Sequence, residues 1–157
     1  MSPTLLLADA YLHQLDPYAL RLTESFGIRW YGLSYLAGIG LGWLIMQWFA
    51  RTRRSPVRPP VVTDLVFAAF VGVLVGGRLG YVFFYKPELL WRFTGDVPFW
   101  GVLALNDGGM ASHGGMIGVL VAAAWIGWRQ RLNTLHLLDL GAIATPVGLF
   151  LGRLANF

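Results

Sequence analysis

Four apolar runs constrain this chain more than any other feature. They cover residues 28–50, 61–85, 113–128 and 137–157. A bilayer core about 30 Å thick is crossed by roughly 20 apolar residues of helix. Backbone groups in hydrocarbon have no water to bond, so each run must satisfy them internally, as a helix does. The chain is therefore expected to be all-α, a polytopic integral membrane protein of about four spans in a single membrane domain, residues 1–157. Of its 157 residues 56% are hydrophobic and 13% charged, where a soluble domain carries about 25% charge. Aromatic residues flank the runs, as membrane interfaces favour.

The charges set an orientation. The stretch RTRRSPVRPP, residues 51–60, holds four arginines between the first two spans. Arg129 and Arg131 follow the third span. Basic loops stay in the cytoplasm, so the N-terminus and the 86–112 loop are expected outside. The net charge of +4 then reads as topology and contact with anionic membrane lipids, not as a nucleic-acid surface. Residues 1–27 lack a basic n-region and a sustained apolar core, and Asp9 and Asp16 come early. They are expected to form an outside arm, with room for a short interfacial helix, rather than a cleavable signal. The chain has no cysteine, which excludes disulfides, thiolate metal sites and a cysteine nucleophile of its own.

Glycines mark packing faces. Gly38 and Gly42 form a GxxxG pair in the first span, and Gly72, Gly76 and Gly80 recur every four residues in the second. Such stripes let another helix backbone come close. The second and fourth spans also share a pattern: Asp64 precedes Arg78, and Asp139 precedes Arg153, by fourteen residues each. At 1.5 Å per residue the members of each pair lie about 21 Å apart on nearly one face. A parallel internal repeat and chance similarity between Gly/Leu-rich helices both account for this.

One histidine stands out. In NDGGMASHGGMIG, residues 106–118, His113 lies at the outer mouth of the third span between Gly108-Gly109 and Gly114-Gly115. Little side-chain bulk leaves backbone N–H groups and an imidazole accessible to a ligand; an interfacial histidine beside a tight turn is the plainer reading. The expected topology puts Tyr31, Arg78, His113, Arg153 and Asn156 in the outer half of the membrane. Polar groups at that depth face one another, water or a ligand. The fork of an arginine suits phosphate, and a phospholipid headgroup is the anion at hand. Snorkelling is the alternative for Arg78, and an interfacial belt the alternative for Tyr31.

Four segments carry a family resemblance, in order: Arg29-Trp30-Tyr31-Gly32-Leu33, Gly76-Gly77-Arg78-Leu79-Gly80-Tyr81, Ser112-His113-Gly114-Gly115-Met116 and Gly152-Arg153-Leu154-Ala155-Asn156-Phe157. Together they resemble the prolipoprotein diacylglyceryl transferases. The last resembles the opening of that family's signature, which continues with Asn and Glu, further helices and another essential arginine. The resemblance therefore implies that residues 1–157 are the N-terminal part of a larger helical bundle.

The resemblance also implies an activity in the bacterial inner membrane: transfer of a diacylglyceryl group from phosphatidylglycerol to the lipobox cysteine of a preprolipoprotein signal peptide. No metal or organic cofactor is implied. His113 would be the general base and Arg153 the catalytic anion partner. Tyr31, Arg78, Gly114, Gly115, Arg153 and Asn156 would bind substrate. A transporter or channel with parallel helix repeats is the alternative. An assembly subunit built on GxxxG faces is a third reading, and it leaves His113 and Arg153 unexplained.

Overall fold

The computed structural model describes residues 18–21, 27–95, 99–104 and 108–155. They form four long helices: α1 (Trp30–Arg51), α2 (Pro59–Tyr85), α3 (Ser112–Gln130) and α4 (Thr134–Ala155). Before α1, β1 (Tyr18–Arg21) pairs antiparallel with β2 (Gly27–Arg29). This short ribbon is the described part of the expected N-terminal arm and its junction with α1; the rest of that arm, where an interfacial helix had room, lies outside the described residues. The class remains an all-α polytopic membrane protein.

Local chemistry sets the helix ends. Pro59 and Pro60 open α2, where the missing proline N–H would be unpaired anyway. Lys86-Pro87 follows its last turn. α3 ends at Arg131 in a left-handed conformation, φ 54°, with its N–H on the carbonyls of Gly127 and Trp128. The Leu135 N–H donates to Asn133 Oδ1 at 2.9 Å at the start of α4, which supplies an acceptor that the first helical turn lacks. Three helices, α1 from Gly32, α2 and α4, are long and apolar enough to cross a membrane, with mean hydropathy 1.3, 1.9 and 1.5. The third expected span is less apolar, because α3 carries Ser112 and His113 at one end and Arg129 and Gln130 at the other.

The helices pair through small residues. A Cβ on Gly38 would stand 3.0 Å from Gly148 Cα, and one on Gly42 would stand 3.3 Å from Ala144 Cβ, so α1 lies directly on α4. α2 and α3 approach more closely still. A Cβ on Gly72 or Gly76 would run into the carbonyl oxygen of Gly118 or Gly114, and one on Gly80 would stand 2.9 Å from Gly114 Cα. In lipid no hydrophobic force drives helices together, so close van der Waals contact between backbones does much of that work.

The two pairs join at the end that carries the arginine-rich loop. There Met46 and Ala50 of α1, Val62 and Leu65 of α2, Ile126 of α3 and Leu137 and Leu140 of α4 form one buried core. Polar bonds close the same end. Gln47 Nε2 donates to Pro59 O at 2.9 Å and to Thr63 Oγ1 at 3.1 Å, and Ser55 Oγ lies 2.8 Å from His136 Nε2. At the opposite end the long loop folds back on α2. Its 3-10 turns (Pro87–Leu90 and Gly101–Leu103) bring Leu89 and Val102 against Val82, and Trp100 Nε1 donates to Leu90 O at 3.0 Å.

Candidate functional site

Arg78, seven residues before the end of α2, is 5% exposed. Its guanidinium faces the loop, not solvent. Nε donates to Val102 O at 2.7 Å, Nη1 to Gly108 O and to Gly109 O (3.1 Å), and Nη2 to Gly101 O (2.9 Å) and Ala104 O (2.8 Å). A guanidinium has five N–H donors, and these carbonyls occupy all of them. Arg78, expected to bind substrate, thus has every donor on a carbonyl in this arrangement; its head is buried, so it does not snorkel.

The glycines beside Arg78 shape the path to α3. Gly77 O accepts the Ala111 N–H at 2.9 Å, and a Cβ on Gly80 would stand 3.3 Å from Ala111 Cβ. Gly108 and Gly109 have φ of +72° and +86°, a region that glycine enters without steric cost. A Cβ on Gly109 would also enter the ring of Tyr81. The loop thus reaches Ala111, the residue before α3, along a path that α2 dictates.

His113 is the second residue of α3 and is exposed. The two glycines after it are buried. Gly114 lies on Gly76 and Gly80, Gly115 lies in ordinary contact with Val73, and the Gly115 N–H is bonded to Ala111 O at 3.0 Å. Gly114 and Gly115, expected to bind substrate, form the face that packs on α2. The imidazole is left outside that contact and is exposed.

Arg153 is exposed in the last turn of α4. It makes no hydrogen bond or ion pair among the described residues. The preceding residue meets α1, since a Cβ on Gly152 would stand 3.8 Å from Tyr35 Oη. Tyr31 lies in the first turn of α1, so its backbone and Arg153 belong to the same helix pair; its side chain and Asn156 lie outside the described residues. Arg78 and His113 lie on the two helices of the α2–α3 pair, and Tyr31 and Arg153 on those of the α1–α4 pair. The proposed repeat does not extend to environment: Arg78 is buried and fully bonded, whereas its counterpart Arg153 is exposed.

An apolar groove of about 800 Å³ runs along α2 and α3. Val75, Leu79, Phe83 and Ile117 line it, Gly76 and Gly114 lie at its base, and Asp64 and Arg129 stand at the arginine-rich end. Neither this groove nor the carbonyl cage around Arg78 is evident from the sequence. The signal for the cage was a buried-span arginine with no acid near it in sequence, followed by a long loop ending in Gly-Gly.

Comparison with known proteins places the chain. The sequence model of the prolipoprotein diacylglyceryl transferases matches residues 17–157. A phosphatidylglycerol–prolipoprotein diacylglyceryl transferase of Bdellovibrio bacteriovorus is 49% identical over 146 residues, covering 93% of this chain and 42% of the relative. Proteins of the same name from Zymomonas mobilis and Xylella fastidiosa are 44% and 43% identical, covering 83% and 94% of this chain and 44% and 47% of the relatives. The chain thus spans somewhat under half the length of these relatives. With the match covering all of its described helices, the chain belongs to the prolipoprotein diacylglyceryl transferase family.

Proposed function

We propose that the protein transfers a diacylglyceryl group from phosphatidylglycerol to the cysteine thiol of a lipobox in a preprolipoprotein signal peptide. It would do so in the bacterial inner membrane, with the His113 end facing outward. The observation that carries this reading is the family match over residues 17–157, and it favours a transferase over the transporter alternative.

The chemistry suits the exposed groups. A thiol with pKa about 8.5 is mostly protonated at neutral pH and is a weak nucleophile until it loses its proton. His113 takes that proton. The thiolate sulfur then attacks the glyceryl carbon that bears the phosphate ester. A C–S bond forms, the C–O bond to phosphate breaks, and glycerol phosphate leaves with the electron pair. Arg153 stabilises the charge that builds on the departing phosphate through charge-assisted hydrogen bonds. Tyr31 and Asn156 orient the headgroup. The groove between α2 and α3 offers an apolar surface along which an acyl chain can lie.

The test uses the full-length protein in phosphatidylglycerol vesicles with a lipobox peptide, read by mass spectrometry. The expected product is the peptide carrying one diacylglyceryl group through a thioether, with glycerol phosphate released in equal amount. The peptide with serine in place of cysteine should stay unmodified. Modification of that serine peptide, or release of phosphatidic acid in place of glycerol phosphate, contradicts the reaction.

A further inference from the structure

Arg78 and its neighbours hold one segment of the chain at six hydrogen bonds. Five run from the guanidinium to the carbonyls of Gly101, Val102, Ala104, Gly108 and Gly109. The sixth runs from the Ala111 N–H to Gly77 O at 2.9 Å. The acceptors lie on both sides of residues 105–107, so a single side chain gathers two stretches of loop. Its guanidinium carbon also lies 5.7 Å from the ring centre of Tyr81, the ring that confines Gly109. The held segment ends at Ala111, two residues before His113.

We propose that Arg78 is the positioning residue for His113: by gathering residues 101–104 and 108–109 onto α2 it fixes the entry into α3 and thereby the stance of the imidazole. This rests on the reading of His113 as the proton acceptor. The geometry asks for arginine in particular. A planar fork presents five donors in fixed directions, whereas lysine has three on one rotating head and cannot reach two separate stretches together. A headgroup role would require the fork to give up these five carbonyls, of which only Gly101 O has a further donor among the described residues, the Ala104 N–H at 3.3 Å. A positioning role uses the arrangement as it stands.

The test compares Arg78→Lys, His113→Asn and the double variant in the full-length enzyme in phosphatidylglycerol vesicles. Hydrogen exchange reads the loop directly. Arg78→Lys should speed exchange at 101–104 and 108–111 while α1 and α4 keep their protection. Kinetically, kcat should fall roughly tenfold or more, with KM for phosphatidylglycerol held within about twofold. The double variant should be no slower than His113→Asn alone, because positioning adds nothing once the positioned group is gone. Unchanged exchange, a raised KM with kcat kept, or losses that multiply in the double variant would each overturn the proposal. A fully active His113→Asn would sink the base reading, and the positioning role with it, whereas unchanged exchange sinks the positioning role alone. Should Arg78→Lys fail to accumulate, Tyr81→Leu loosens the same segment more gently. It should lower kcat at constant KM, and a raised KM there counts against the proposal equally.

Discussion

At the scale of single residues, the sequence showed which groups are unusual but not which are occupied. Arg78 and Arg153 look alike in sequence, each a Gly-Arg-Leu late in an apolar run. The fold separates them: one has all five donors on carbonyls and the other is exposed. Every residue carries a carbonyl, so an arginine caged by backbone leaves no pattern of acidic partners to read. The exposed pair, His113 and Arg153, should therefore have separable roles. His113→Asn keeps a polar side chain but removes the base, so lipid binding should persist while transfer collapses by roughly 100-fold or more. Arg153→Lys keeps the charge but loses the bidentate fork, so binding and transfer should fall together. Raising the pH toward the thiol's own pKa of about 8.5 supplies thiolate unaided. The His113 variant should then recover part of its loss and the Arg153 variant should not. Absence of recovery, or loss of lipid binding in His113→Asn, makes His113 a binding or structural residue.

At the scale of elements, periodicity and glycine spacing carried most of the information. The helices begin and end within a few residues of the apolar runs, because prolines and arginines bound those runs chemically as well as visually. The stripe Gly72-Gly76-Gly80 was legible as a close-approach face, and its partner is α3, through Gly114 and Gly118. The β1–β2 ribbon was not legible. YALR and GIR are too short for an alternating pattern to show. The stripes make a sharp prediction about substitution. Gly118→Val would push a Cβ into the Gly72 carbonyl, and backbone on a packed helix cannot step aside. It should cost about 1–3 kcal/mol or more. Gly40, inside α1, has nothing within 4 Å of its would-be Cβ, so Gly40→Ala should be neutral or gain up to about 1 kcal/mol from helix propensity. Thermal unfolding of the two variants in detergent checks this. A Gly118→Val protein that melts with the parent would show that α2 and α3 do not pack as described.

At the scale of the whole molecule, two glycine-packed helix pairs share a core at the arginine-rich end and present His113 and Arg153 from the other. That polarity matters for the proposed transfer, in which headgroup, thiol and the groups acting on them must meet on one side of the membrane. Positive charge near short loops sets the side. Exposed Glu88, in the loop that Arg78 anchors, should face outward, and exposed Gln130, at the far end of α3, should face the cytoplasm. Cysteines at these positions report their sides to an impermeant thiol reagent. The most direct measurement joins this label to the chemistry. Full-length protein carrying either cysteine is placed in phosphatidylglycerol vesicles, and a lipobox peptide is supplied to one face at a time. The account predicts thioether formation only when the peptide is on the face where the cysteine at position 88 is labelled. Transfer from the face where position 130 is labelled, or no transfer from either face, would contradict it.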